Sequence, residues 1–191
     1  MDFLFIYLKF LFTQNILRYH KKISYELTYE DYKNEMDIIS KRNSVEVGLY
    51  FTVEFIIRSV LSQNYTTINV SSRRKWLGED YEFYNSETGF PDLLVINKNG
   101  SKPIASVEVK YPIKEGILDL HKLQLEGHQN KFKNCIHTDF FEWRFISEKT
   151  TEMNIIKLAT YQNKKIIWNE DDQWDELINQ ISFFFNQIKL D

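Results

Sequence analysis

Apolar residues at helical spacing predict the elements in the first third of the chain. Residues 1 to about 40 are expected to be helical and loosely amphipathic. The apolar positions in the second part of that region are Tyr29, Tyr32, Met36 and Ile39. A stronger helix is predicted from Asn43 to the polar Ser62-Gln63-Asn64. Its apolar stripe consists of Leu49, Val53, Ile56, Ile57 and Val60.

Shorter apolar runs predict a β-sheet in the middle of the chain. Thr66 to Val70 is rich in β-branched residues and predicts a strand, whereas Ser71 to Gly89 is polar and predicts a loop with at most a short element. Two apolar runs, Asp92 to Ile96 and Ile104 to Lys110, flank Asn99-Gly100. Apolar runs on either side of Asn-Gly are typical of a β-hairpin.

The last third predicts one more helix, several strands and a closing helix. The helix is expected from about Leu118 to Phe132. Strands that extend the same sheet are predicted at Cys135–Thr138, Trp143–Ile146, Ile155–Leu158 and Lys165–Trp168. The closing helix starts at an N-cap Asp172. Its apolar face is Trp174, Leu177, Ile178, Ile181, Phe185 and Ile188.

These elements predict an α/β domain with a central mixed β-sheet flanked by helices, the first helix on one face and the later helices on the other. A chain of 191 residues without repeats or linkers fits a single domain. Within it we expect a helical extension (1–42), a core (43–146) and C-terminal strands with the closing helix (147–191).

Composition excludes some classes of protein. Hydrophobic residues make up 43% of the chain and aromatic residues 16%, which is too high for a disordered protein. The single cysteine, Cys135, cannot form an internal disulfide, and the four histidines lack the spacing of a zinc site, so a reducing cytoplasm is expected. The net charge of -3 means that any nucleic-acid binding depends on local basic residues and metal ions.

The N-terminal run from Met1 to Phe12 is apolar but is interrupted by Asp2 and Lys9. It is too short to span a bilayer, so no membrane span is expected. We expect a helix that packs on the domain or on a partner, and an anchor at a membrane surface is the alternative.

The predicted hairpin brings polar residues together at the end of apolar strands. If the loop is three or five residues long, Asp92 lies opposite Glu108, whereas a strict two-residue loop pairs Asp92 with Val107. Strand alternation places Lys110 on the same face as Glu108 and turns Ala105, Val107 and Val109 to the other side. Two adjacent carboxylates are suited to a divalent cation such as Mg²⁺.

Pro91-Asp92, fifteen intervening residues and Glu108-Val109-Lys110 resemble the signature of the PD-(D/E)XK nucleases over roughly residues 43 to 146. The resemblance implies a restriction-endonuclease-like core and a catalytic centre of Asp92, Glu108 and Lys110. It further implies Mg²⁺, replaceable by Mn²⁺, held by the two acids and the Val109 carbonyl, with Lys110 orienting or activating the attacking water.

Members of that superfamily often add a glutamate from the preceding helix and a glutamine or lysine from the following one. Glu46 is preferred over Glu54, because it lies at the end of the buried stripe while Glu54 is placed to pair with Arg58. A capping box formed by Asn43 and Glu46 is the competing explanation. Gln124 is preferred over Gln129, because the run from Gln124 to His128 is similar to the segment that follows the catalytic lysine in larger restriction enzymes.

The resemblance implies a magnesium-dependent DNA endonuclease of restriction or phage-defence type, acting as a homodimer or within a larger complex. Phosphate contacts are expected from Arg73, Arg74 and Lys75 beside Trp76. The alternative is a catalytically silent domain of the same fold that binds nucleic acid or a partner protein.

Overall fold

The computed structural model describes residues 27–42, 45–71, 81–99, 102–112, 115–149, 153–162 and 165–188. Six of its strands form one mixed sheet, and two more form a separate small sheet. The elements are, in chain order, α1 (Tyr29–Arg42), α2 (Val47–Val60), β1 (Tyr65–Asn69), α3 (Tyr81–Tyr84), β2 (Leu93–Asn97), β3 (Pro103–Val109), α4 (Ile117–Leu120), α5 (Lys122–Phe132), β4 (Cys135–Thr138), β5 (Glu142–Ile146), β6 (Asn154–Lys157), β7 (Ala159–Gln162), β8 (Lys165–Trp168) and α6 (Asp172–Gln187).

The strands of the large sheet lie in sequence order from β1 to β6. All neighbouring pairs are antiparallel except β3 and β4, which run parallel. A parallel pair needs a crossover, and α4 with α5 supplies it between the two strands. The expected central mixed sheet flanked by helices is therefore present.

The β2–β3 hairpin has the register that places Asp92 opposite Glu108. Leu93 pairs with Val107, so the next residue outward on each strand is Asp92 on one side and Glu108 on the other. Nearer the turn Ile96 pairs with Pro103, so the shift of register between Val95 and Ile96, and not the expected three- or five-residue loop, produces this pairing. The alternative with a strict two-residue loop, which pairs Asp92 with Val107, is wrong.

Helices cover both faces of the large sheet, but not as expected. One core cluster joins residues of α1, α2 and α6 to Leu93, Val95, Ala105 and Val107 on one face. The opposite face packs Leu94 and Cys135 against Phe132 of α5. The closing helix thus lies on the same face as the first helices, and the prediction that all later helices cover the other face is wrong for α6.

The prediction that Lys165–Trp168 extends the large sheet is also wrong. This strand pairs with β7, which the sequence did not predict. The chain leaves the large sheet at the fully buried Leu158, whose amide donates to the Phe141 carbonyl at 2.7 Å. After Leu158, the next two strands pair with each other.

Three helix boundaries differ from the sequence pattern. The α2 helix begins at Val47, with Glu46 as its N-cap residue. The segment predicted from Leu118 to Phe132 divides at His121 into α4 and α5. The closing helix has Asp171, not Asp172, at its N-cap, and that residue makes no side-chain capping bond.

In the described part of the chain, none of the helices is both long and apolar enough to cross a bilayer. The segment from Met1 to Phe12, for which a packed helix or a surface anchor was predicted, lies outside the described residues.

Candidate active site

An open cleft of about 420 Å³ lies where β2 begins and β3 ends, between α2 and α5. Five of the residues proposed from the sequence line it: Glu46, Asp92, Glu108, Lys110 and Gln124. They come from four separate stretches of chain, so the fold brings them together. Its other lining residues are Val47, Tyr50, Asn69 and Ser71.

Asp92 is held at the start of β2 by two donors. The Val109 amide donates to its Oδ2 at 2.8 Å, and the Tyr50 hydroxyl donates to its Oδ1 at 2.5 Å. Burial, followed by the charge of Glu108, raises the pKa of Asp92 to about 7. At neutral pH this carboxyl group is therefore close to half protonated, and a cation beside it favours its ionised form.

Glu108 is the most enclosed acid of the cleft, with 1% of its surface exposed. Burial alone raises the pKa of a carboxyl group, but here the contacts with His128 and Lys110 overcome burial and lower the pKa below its usual value. The Lys110 ammonium lies 2.5 Å from Glu108 Oε1 and 3.6 Å from Glu46 Oε2. Glu108 and Lys110 therefore form a buried ion pair.

Lys110 remains protonated in this arrangement. Burial lowers the pKa of an amine, but the charges of Glu108, Glu46 and Asp92 raise that of Lys110 above its ordinary value. A lysine of raised pKa is a poor proton acceptor at neutral pH. Its available roles are to orient water and to stabilise negative charge.

The α5 helix contributes two groups to Glu108. The Gln124 amide donates to Glu108 Oε1 at 2.5 Å, and His128 Nε2 lies 3.1 Å from Glu108 Oε2. These residues are four positions apart, so they project from one side of the helix. Gln129 instead lines a different depression with His137 and Arg144, which leaves Gln124 as the glutamine of the cleft.

Glu46 and Glu54 lie in different surroundings, as the helical pattern predicted. Glu46 lies at the cleft, where its Oε1 is 3.0 Å from the Tyr50 hydroxyl, whose single proton is directed to the nearer Asp92. Glu54 pairs with Arg58 at 2.8 Å, and both also bind Thr67 of β1. The capping-box interpretation of Glu46 involves Asn43, which lies outside the described residues.

The oxygen ligands that the cleft offers are few. Among the described residues, no group of three or more His, Cys, Asp or Glu side chains is arranged to hold a metal ion. Two carboxylates, those of Asp92 and Glu108, face each other across the hairpin, and Glu46 lies beyond Lys110. A hard cation that keeps several waters, such as Mg²⁺, suits so small a set of oxygen ligands better than Zn²⁺ or Ca²⁺.

Comparison with known proteins relates this fold to one that has been solved with DNA. No family model matches the sequence, and no curated protein matches it. A chain in the cryo-EM structure of a DrdV–DNA complex superposes with a TM-score of 0.57 at 11% identity. The match covers 84% of this chain and 96% of that one. The two chains share a fold.

At so low an identity, the likeness to the DrdV chain concerns backbone topology and assigns no residue. The roles of Asp92, Glu108, Lys110, Glu46 and Gln124 therefore depend on the geometry of the cleft. The proposed phosphate contacts of Arg73, Arg74 and Lys75 lie outside the described residues.

Two polar residues of the site were missed in the sequence. Tyr50 contacts both Glu46 and Asp92, and His128 contacts Glu108. Each lies four residues after a predicted site residue on the same helix, namely Glu46 and Gln124. That spacing was visible in the sequence, but an aromatic or imidazole ring on a buried helix face is more often a core residue.

Proposed function

We propose that this protein is a magnesium-dependent DNA endonuclease of the PD-(D/E)XK type, with a role in restriction or phage defence. One observation supports this above the others. The hairpin register places Asp92 opposite Glu108, and the Lys110 ammonium lies against Glu108 in the same open cleft. A buried acid pair next to a lysine is costly to desolvate, and a metal-dependent reaction gives a reason for it.

Asp92, Glu108 and the Val109 carbonyl are the proposed ligands of the Mg²⁺ ion, with Glu46 near enough to join them or to hold a bound water. When bound, the ion polarises the phosphate and lowers the pKa of coordinated water. Gln124 keeps Glu108 in place through its bond to Oε1. Mn²⁺, which accepts the same oxygen ligands, is expected to substitute.

Lys110 has a defined part in this proposal. Because its pKa is raised, it works as a cation that orients the attacking water and stabilises charge at the phosphate, not as the base that removes a proton. To reach the phosphate, its ammonium must loosen its contact with Glu108. Charge transferred from Glu108 to a metal ion weakens that contact.

DNA is the proposed substrate because the chain shares its fold with a protein solved in a DNA complex. The net charge of -3 gives no general attraction to phosphate. We expect a local attraction to phosphate instead, supplied by the metal ion and by contacts from Arg73, Arg74 and Lys75. A homodimer or a larger complex would bring two such sites to the two strands of a duplex.

The deciding experiment is metal-dependent cleavage of supercoiled plasmid and of single-stranded DNA. We expect cutting with Mg²⁺ or Mn²⁺, no cutting with EDTA, and a rate about 10²- to 10³-fold lower in Lys110→Met, which keeps the side-chain length but removes the charge. Lys122→Met is the matched control, because Lys122 is exposed on α5 and pairs with Glu126 at 3.7 Å.

Equal cutting by wild type and Lys110→Met contradicts the proposal and points to a contaminating nuclease. DNA binding without cleavage that survives both Glu108→Ala and Lys110→Ala supports the alternative, a catalytically silent binding domain. Circular dichroism of each variant shows whether the fold is retained.

A further inference from the structure

We infer that His128 is a positioning residue that fixes the carboxylate of Glu108 for metal binding, an assignment that rests on the proposed function. His128 is fully buried, with 0% of its surface exposed. Its Nε2 lies 3.1 Å from Glu108 Oε2, and its Nδ1 lies 2.8 Å from Ser86 Oγ. Both ring nitrogens therefore face a polar group.

The contact with Glu108 is selective for one oxygen. Lys110 and Gln124 both bind Glu108 Oε1, each at 2.5 Å. His128 Nε2 faces the other oxygen, Oε2, at 3.1 Å. Neither Oε2 nor His128 Nε2 makes an aligned hydrogen bond in the described structure, so their contact at 3.1 Å compensates for the burial of both atoms, and its loss costs free energy.

The proton on Nε2 follows from its neighbour. A bare Nε2 lone pair at 3.1 Å from a carboxylate oxygen is repulsive, whereas an N–H at that position donates to it. Ser86 Oγ, which donates to the Gly89 carbonyl at 2.8 Å, lies 2.8 Å from Nδ1 and contacts the ring on its other side. Ser86 thereby orients the imidazole, and the imidazole orients Glu108.

The backbone around Ser86 is itself held against α5. Ser86 and Gly89 exchange two backbone hydrogen bonds at 2.9 and 3.1 Å, and Thr88 Oγ1 donates to the Gln124 carbonyl at 2.9 Å. Gly127 gives Thr88 room to approach, because a Cβ there would come within 2.8 Å of Thr88 Cβ. These contacts hold the turn against α5, the helix that carries His128.

Two substitutions of His128 test the contacts of its two ring nitrogens separately. His128→Gln places an amide near the position of Nε2 and keeps a donor for Glu108, whereas His128→Asn keeps a group near Nδ1 and loses that donor. A merely structural role in the core predicts similar damage from both. A positioning role predicts that Gln rescues metal binding and Asn does not.

The test measures Mn²⁺ affinity of the purified full chain by isothermal titration calorimetry, without DNA. We expect His128→Asn to bind Mn²⁺ about 10- to 100-fold more weakly than wild type, and His128→Gln to stay within about threefold. His137→Asn is the control, since His137 is equally buried on β4 but makes no ion-pair contact with Glu108 in the described structure, unlike His128. Thermal unfolding of each variant confirms that it is folded.

The outcomes separate this assignment from the proposed function. Wild-type affinity in His128→Asn, or an equal loss in His128→Gln or in His137→Asn, overturns the role of His128 while leaving the metal site intact. Failure of the wild-type protein to bind Mn²⁺ overturns the metal site, and the role of His128 with it.

Discussion

Two neighbouring acids of the cleft differ in charge state because their partners differ. Burial and the like charge of Glu108 raise the pKa of Asp92 to about 7, although its two neutral donors act to lower it. Glu108 contacts an ammonium and an imidazole, so its pKa is lowered. The sequence supplied both residue types and their spacing. It could not supply this division of charge, because the partners come from α2, β3 and α5, which meet only in the fold.

Asp139 provides a test of buried charge away from the cleft. Its Oδ1 accepts hydrogen bonds from the Phe141 and Glu142 amides at 3.1 and 2.7 Å, in the turn from β4 to β5. Burial is the main cause that raises its pKa, from 3.8 to about 6. Stability from the protonated form is full below about pH 4 and is lost as the pH rises through 6.

We therefore expect Asp139→Asn, whose amide oxygen can accept the same bonds, to be more stable than wild type at neutral pH. The gain in unfolding free energy should be about 1 to 3 kcal/mol at pH 8 and should nearly vanish at pH 4. Urea unfolding at both pH values measures it. Asp119→Asn is the control, because Arg144 lowers the pKa of that exposed acid, so no gain is expected at pH 8. A pH-independent difference in Asp139→Asn contradicts the interpretation.

At the scale of elements, the sequence predicted those whose signal is local. The hairpin followed from two apolar runs around Asn-Gly, but the register of Asp92 depends on the irregularity between Val95 and Ile96, which the sequence did not predict. The division of α4 from α5 at His121 was hidden, because Leu118, Leu125 and Phe132 lie at seven-residue intervals, as in a continuous helix, and all three are buried. The covered face of α6 depends on tertiary packing, which no local pattern contains.

The contact between α5 and the Ser86–Gly89 turn gives a prediction at this scale. Gly127→Ala should destabilise the protein by about 1 to 3 kcal/mol, because the added methyl group meets Thr88. It should also weaken Mn²⁺ binding, because Gln124 and His128 move with the helix. Denaturant unfolding and calorimetry measure the two effects.

Thr88→Gly in the same chain removes the atoms that the methyl group meets, so the double variant should recover part of the loss. A double-mutant cycle then yields a coupling free energy. Strict additivity of the two changes contradicts a direct contact. Glycine also costs backbone entropy at position 88, so the single Thr88→Gly variant completes the comparison.

At the scale of the whole molecule, the sequence predicted the class of fold and one connected set of candidate residues. One core cluster runs from Tyr29 to Phe185 and joins α1, α2 and α6 beneath the sheet. The separate β7–β8 sheet was not predictable, since Lys165–Trp168 has the same β-branched pattern as strands of the large sheet. The position of the β7–β8 sheet depends on Leu158, the residue at which the chain leaves the large sheet.

Metal binding should stabilise the whole fold, because only the folded chain brings Asp92 and Glu108 together. With Mn²⁺ at 100 times its Kd, the expected gain is about 2.7 kcal/mol, or roughly 5 to 10 °C in Tm for a chain of this size. Differential scanning fluorimetry with and without Mn²⁺ measures the shift. It should be absent in Asp92→Ala and retained in Glu126→Gln, which alters an exposed acid on α5.

The α5 helix contacts both oxygens of a single carboxylate, one through Gln124 and one through His128. A residue inserted between them rotates the second donor by about 100° away from Glu108. The interval of four is therefore fixed by geometry, whereas the connection between β3 and α4 supplies neither contact. In other chains of this fold, we expect the number of residues that precede this helix to vary. We expect the number of residues within its first two turns to stay constant.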